Sequence, residues 1–214
     1  MTIPAATILD EAAVLLLDTA GRTWSPDDLL GYLNEALSAT AFVKPDMYTV
    51  QNFVNLAAGV LQNIPDDGVA LLDITHNAGG RVVTQVDKSL LEEANRFWPA
   101  SSQELVVEHF TVDPRNPRRF TIFPPSNGYS QVEMLYGAVP PRINYPSEEI
   151  PVPDSYQAAL VNFVLSRAYA KNAKRQDLTK SAKFWQDWAQ MVGMKSQAQI
   201  AASPKVDASP GVTS

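Results

Sequence analysis

The sequence predicts an α+β fold: helix hairpins at the two ends of the chain form a helical bundle, and an antiparallel, β-sandwich-like domain is inserted between them. Three observations predict it. Apolar residues recur at helical spacing near both ends, and the stretch between about 46 and 138 breaks into short runs of β-branched and aromatic residues. Rigid turns punctuate those runs, with 16 Pro against 10 Gly in 214 residues.

From Pro4 to about Asp18, Ile8, Ala12 and Leu15 stand at helical spacing beside Leu9, Ala13 and Leu16, which predicts an amphipathic helix interrupted at Gly21 and Arg22. A second helix starts at Ser25-Pro26-Asp27-Asp28. The hydroxyl caps free N–H groups, Pro26 fits the first helical position and the carboxylates face the positive dipole end. Leu29, Leu30, Leu33 and Leu37 carry it forward, Trp24 sits where it staples back onto the first turn, and Pro45 stops it.

Strands follow around Tyr48–Leu56 and beyond Gly59. The runs at 69–75 and 81–86 flank Asn77-Ala78-Gly79-Gly80, which predicts a hairpin. Asp87 caps a short helix carrying Leu90 and Leu91 that ends near Trp98-Pro99. Three further strands are expected at 104–112, 118–123 and 130–138, separated by the proline turns at 113–117 and 124–128. The prolines between 140 and 153 make a stiff connector to Asp154, read as the cap of a helix with Tyr156, Leu160, Phe163 and Val164. Leu178, Trp185, Trp188 and Val192 mark a last helix, the two tryptophans being read as bundle core. The organisation is thus 1–44 helix pair, 45–150 β-rich insertion, 151–193 helix pair, and 194–214 a flexible tail too poor in large apolar residues to order alone.

Composition excludes whole classes of chemistry. There is no Cys, so disulfides, thiol catalysis and thiolate metal sites are absent, and only His76 and His109 offer imidazole. Both histidines are read as structural, because adjacent strand residues point to opposite faces and Glu108 and His109 therefore do not form a dyad. The acidic pairs at 66–67, 92–93 and 148–149 lack calcium-loop spacing, the 77–80 turn lacks a phosphate-loop pattern, and no nucleophile elbow is present. No cofactor or metal is expected. With no long apolar run and acids rather than bases near the start, neither a membrane span nor a secretory leader is expected.

The net charge of −6 argues against a DNA-coating role. It is unevenly spread, with 9 basic and 19 acidic residues in 1–150 against 8 and 4 in 151–214. Arg167, Lys171, Lys174, Arg175, Lys180 and Lys183, with Tyr169 among them, form a basic belt at the junction of the last two helices. It reads as a docking face for an acidic protein neighbour. Arg115, Arg118 and Arg119 gather in one rigid turn as a second candidate interface.

The order of these pieces resembles the head-to-tail adaptor (head completion, portal–tail connector) proteins of tailed bacteriophages. The residues carrying the resemblance are Trp24-Ser25-Pro26-Asp27-Asp28-Leu29-Leu30 with Leu33-Asn34-Glu35-Ala36, Lys44-Pro45-Asp46, and Gly59 through Pro65 before Leu71-Leu72-Asp73-Ile74. Asp113-Pro114-Arg115, Phe120 ahead of Pro124-Pro125, and Val132 through Tyr136 ahead of Pro140 follow in the same order. The resemblance implies a non-enzymatic virion protein, made in the host bacterial cytoplasm. It would form a ring of about twelve copies between portal and tail or nozzle protein, with a channel through which double-stranded DNA passes. It also implies that the C-terminal region docks on the portal, which assigns that role to the basic belt and to the tail with Met194, Ile200 and Lys205. Two other readings stay open: a non-catalytic β-sandwich binding module of a phage tail, with Phe110, Phe120, Phe123 and Tyr129 lining a site, and an enzyme using Glu104, Glu108 and Glu133.

Overall fold

A computed structural model of the chain describes residues 3–171 and 174–202, the stretch 194–202 as helix backbone alone. The fold mixes α and β, with five α-helices and three sheets among the described residues.

The chain opens with a two-residue strand β1 (Ile3–Pro4) and helix α1 (Ala5–Leu15). α1 ends in a left-handed cap: Leu17 has φ +53°, its N–H reaches the Val14 carbonyl, and the Asp18 N–H reaches that of Ala13. The Asp18 carboxylate then collects three backbone N–H groups, those of Arg22, Thr23 and Trp24, at 2.7–3.0 Å. These bonds favour the ionised form and hold its pKa below the ordinary value, the Trp24 bond foremost.

Helix α2 (Pro26–Val43) begins as the sequence predicts. Ser25 and Asp28 form a reciprocal capping box, Pro26 stands at the first helical position, and the helix stops ahead of Pro45. Trp24 shares a buried cluster with Leu29 of the first turn and also reaches further. Its ring is buried, and its indole N–H donates across the molecule to the Ala168 carbonyl at 2.8 Å.

The β-rich stretch holds β2 (Thr49–Asn55), β3 (Gly59–Asn63), β4 (Gly68–Asn77), β5 (Thr84–Gln85), a short helix α3 (Lys88–Ala94) capped by Asp87, β6 (His109–Val112), β7 (Arg119–Ser126) and β8 (Gln131–Ala138). They form a three-stranded sheet of order β2-β8-β4 and a four-stranded one of order β3-β7-β6-β5. Both contribute to one hydrophobic cluster, with Leu71, Ile74, Val132 and Met134 from the first sheet and Phe110, Phe120 and Ile122 from the second.

Four local expectations are corrected here. The turn at 77–80 forms, but the segment after it makes a single bridge back, His76 to Val82, and then leaves for the other sheet, where β5 runs parallel to β6. Asn77 explains the departure: its side-chain amide exchanges hydrogen bonds with both the N–H and carbonyl of Val107, taking the place of a strand partner. The strand expected from 104 starts only at His109. Pro124 and Pro125, expected in a turn, lie inside β7 after a cis Phe123–Pro124 peptide; they lack donors, but the Pro125 carbonyl still accepts the Glu104 N–H. Asp154 opens a 3-10 turn rather than capping a helix through its side chain.

A strand β9 (Glu149–Ile150) returns to pair antiparallel with β1. Helix α4 (Gln157–Ala170) is apolar nearly all round, with Leu160, Val161, Phe163, Val164, Leu165 and Ala168 buried, as befits a helix surrounded by others. It touches α1, α2 and the final helix α5 (Leu178–Ala202), and these four share a second hydrophobic cluster with Trp24, Leu33, Leu37 and Trp188. Each such buried side chain contributes about 1.5–3 kcal/mol over its exposed state. α5 continues past Gly193, where the sequence reading ended it. Its start is capped by Asp177, which accepts from the N–H groups of Thr179 and Lys180. Of the two tryptophans expected in the core, Trp188 is buried and donates to the Thr40 hydroxyl at 3.1 Å, while Trp185 is 46% exposed.

Candidate functional site

Basic side chains do converge where α4 meets α5, but most of them are engaged within the chain. Lys171 Nζ lies 2.8 Å from Asp28 Oδ2 at the start of α2, and Arg167 Nε lies 2.8 Å from Glu35. Arg175 donates to the carbonyls of Leu16 and Leu17, left open by the end of α1, and its guanidinium stands over the Trp24 ring. Lys180 pairs with Asp177 and faces the Tyr169 ring, and Lys183 pairs with Asp187 at 3.0 Å. Lys174 alone of the six is exposed with no such partner among the described residues. The Lys171–Asp28 contact stabilises both charged forms: the hydrogen bond from Lys171 lowers the Asp28 pKa, and the bond to Asp28 raises that of Lys171. The belt is therefore first a seam fastening the C-terminal helices to α1 and α2. Ion pairs at this exposure stabilise weakly one by one, but they fix the geometry of the seam.

The arginine turn differs. Arg118 donates to the Asp66 carbonyl at 3.2 Å, whereas the Arg115 and Arg119 guanidiniums have no partner among the described residues. With Leu61, Lys88, Thr111 and Thr121 they line an open groove of about 1040 Å³ at the four-stranded sheet. Of the tail residues, Met194 and Ile200 lie in the backbone-only part of α5, and Lys205 lies outside the described residues.

A cluster missed by sequence reading joins Thr75, His76 and Glu133. Register shifts between Ile74 and His76, so two residues of β4 oppose one of β8 and both reach the same carboxylate. Thr75 Oγ1 lies 2.9 Å from His76 Nδ1 and donates a short bond to Glu133, whose Oε2 is 3.2 Å from the same Nδ1. The Thr75 bond, aided by Gln51, lowers the Glu133 pKa. A relay needs the hydroxyl and the carboxylate on different ring nitrogens; here both meet one. Glu108, meanwhile, pairs with Arg81, so Glu108 and Glu133, two of the three carboxylates suggested for acid–base work, have separate partners.

A family model, that of the SU10 adaptor protein, matches residues 3–210. The chain belongs to the SU10 adaptor family. No curated protein matches it. Membership agrees with the head-to-tail adaptor resemblance read from the sequence and makes the chain a phage structural adaptor of the virion.

Several further features bear on what this family member does. Among the described residues no group of three or more His, Cys, Asp or Glu could hold a metal ion, and no helix is long and apolar enough to cross a membrane. Phe110 and Phe120, suggested as lining a binding site, are fully buried core residues; Phe123 stacks on His109, and only Tyr129 is widely exposed. Of the cations singled out in the sequence, the Arg115, Arg119 and Lys174 side chains have no internal partner among the described residues.

Proposed function

We propose that this chain is a non-enzymatic head-to-tail adaptor, whose copies form a ring of about twelve between portal and tail, leaving a channel for genome passage. The observation that carries the reading is the family match over residues 3–210, nearly the whole chain. In this reading residues 1–44 and 151–193 form one helical bundle and 45–150 a sandwich-like insertion. Support comes from the helix cluster, which draws Leu33 and Leu37 from one end of the chain together with Leu160, Phe163 and Trp188 from the other. The outer face of the last helices and the segment 194–214 contact the portal, and the turn with Arg115, Arg118 and Arg119 meets a neighbouring protein. An acidic majority suits a lumen that must not retain DNA, since like charges repel.

The test is the light-scattering mass of the purified chain, alone and mixed with the portal protein of the same phage. A complex with the mass of a portal plus a closed ring of adaptors is expected. A chain that stays near 23.4 kDa and ignores the portal would refute the reading.

A further inference from the structure

A ring needs two different patches on each copy, each complementary to the other, because a head-to-tail contact never meets its own surface. The helical part of this chain carries two such patches, at opposite ends of α2. At one end Lys171 binds Asp28 and the Thr23 carbonyl, and Arg175 binds the carbonyls of Leu16 and Leu17; the end of α1, the start of α2 and the α4–α5 junction therefore meet there. Asp28 meets Lys171 and, further along α2, Glu35 meets Arg167, so α2 and α4 run antiparallel and the end of α2 lies towards the start of α4. The 18 residues of α2 separate the two ends by about 27 Å.

The first end is apolar where it has no structural need to be. Val14, Leu15, Leu17 and Leu178 are exposed, Leu17 at 81% and Leu178 at 65%. Leu17 occupies a left-handed cap position that favours glycine and is disfavoured for a branched side chain by about 1–2 kcal/mol, so a leucine held there and pointed at solvent is retained against local preference. Arg22 and Lys174 flank it without ion-pair partners among the described residues, and the exposed carboxylate of Asp27 stands at the same end. The second end presents Phe42, 64% exposed, beside the exposed Val43, and beyond them Asp154, exposed and without an ion-pair partner among the described residues.

We propose that copies of this chain dock head to tail, the leucine end of one (Val14, Leu15, Leu17, Leu178) seated on Phe42 and Val43 of the next, whose Asp154 meets Lys174 or Arg22. The proposal rests on the adaptor reading and adds which surfaces close the ring. Leu17 and Phe42 are its apolar anchors, and the opposite excess charges set the direction of docking.

The chain contains no cysteine, which makes the test direct. The full-length double variant Leu17→Cys with Phe42→Cys, and each single variant, are treated with a short bis-maleimide alone and together with portal, and the products are resolved by mass. The double variant is expected to give a ladder of dimer, trimer and higher species, and the single variants none. Dimers from a single variant would show a self-symmetric contact and overturn the proposal. A double variant that forms the portal complex without cross-linking would overturn it while the adaptor reading stands, and one that forms neither would overturn both. Separately, Leu17→Gly is expected to weaken self-association about tenfold or more without loss of folding. Lys174→Glu is expected to weaken it and Asp154→Lys in the same chain to restore it; full association by Leu17→Gly would refute the anchor.

Discussion

Gly137 marks the place where the sheets meet the helices, and replacing it with alanine tests that junction. It lies in the central strand β8, paired to Thr49 on one side and Ala70 on the other, with the turn after α2 packed across it. A Cβ at this position would sit 2.2 Å from the Pro45 carbonyl oxygen and 2.7 Å from its carbon. Ordinary contact requires the Pro45 backbone to withdraw by about 1 Å, and backbone in a close-packed interior does not yield as a side-chain tip does. Overpacking of this kind costs roughly 1–3 kcal/mol, and a clash with main chain belongs at the upper end. The assay is urea unfolding followed by tryptophan fluorescence. A loss near 3 kcal/mol lowers the midpoint by about 1 M or more for slopes typical of such chains. Gly31→Ala is the control: it lies inside α2, nothing stands within 4 Å of its added methyl, and it should gain about 0.5–1 kcal/mol. Midpoints that move in the same direction for both variants, or Gly137→Ala unfolding within about 0.2 M of the parent, would refute the packing argument.

Leu17→Gly relieves the left-handed strain and should raise the unfolding free energy by about 0.5–1 kcal/mol, read from the same urea curves; a loss would show that Leu17 packs within its own chain. Trp24→Phe removes the buried indole donor to Ala168 and should cost about 1–2 kcal/mol, with the midpoint as readout. Asp28 has a lowered folded pKa, so its contribution is present above its ordinary value of 3.8 and is lost as pH falls through the folded value. Lys171 has a raised one, so its contribution is present below 10.5 and is lost as pH rises through the folded value. Stability from this pair should thus be flat between those limits, and Lys171→Met should raise the Asp28 titration midpoint seen by carboxyl NMR.

The parts of the fold legible in the sequence are those decided within a few residues. Ser25, Pro26 and Asp28 are enough to start α2 and Pro45 to stop it, because capping bonds span three or four positions and proline acts on its own turn. Asp87 and the turn at 77–80 were legible for the same reason, as was the adaptor resemblance, which rests on the order of such local signals. What the tertiary structure alone decided involves partners far apart in the chain. Whether residues 81–86 complete a hairpin depends on Asn77 meeting Val107, and whether Phe110 and Phe120 face a ligand or the core depends on where a second sheet packs. β1 and β9 are too short for any periodicity to show. The candidate site divides in the same way. The sequence shows six cations near the α4–α5 junction, but not that Asp28 and Glu35, more than a hundred residues earlier, neutralise two of them, nor that Leu17 stands exposed beside a seventh, Arg22. Charge and hydropathy are properties of single residues and can be read in order; pairing and exposure are properties of residues brought together, and chain order does not contain them.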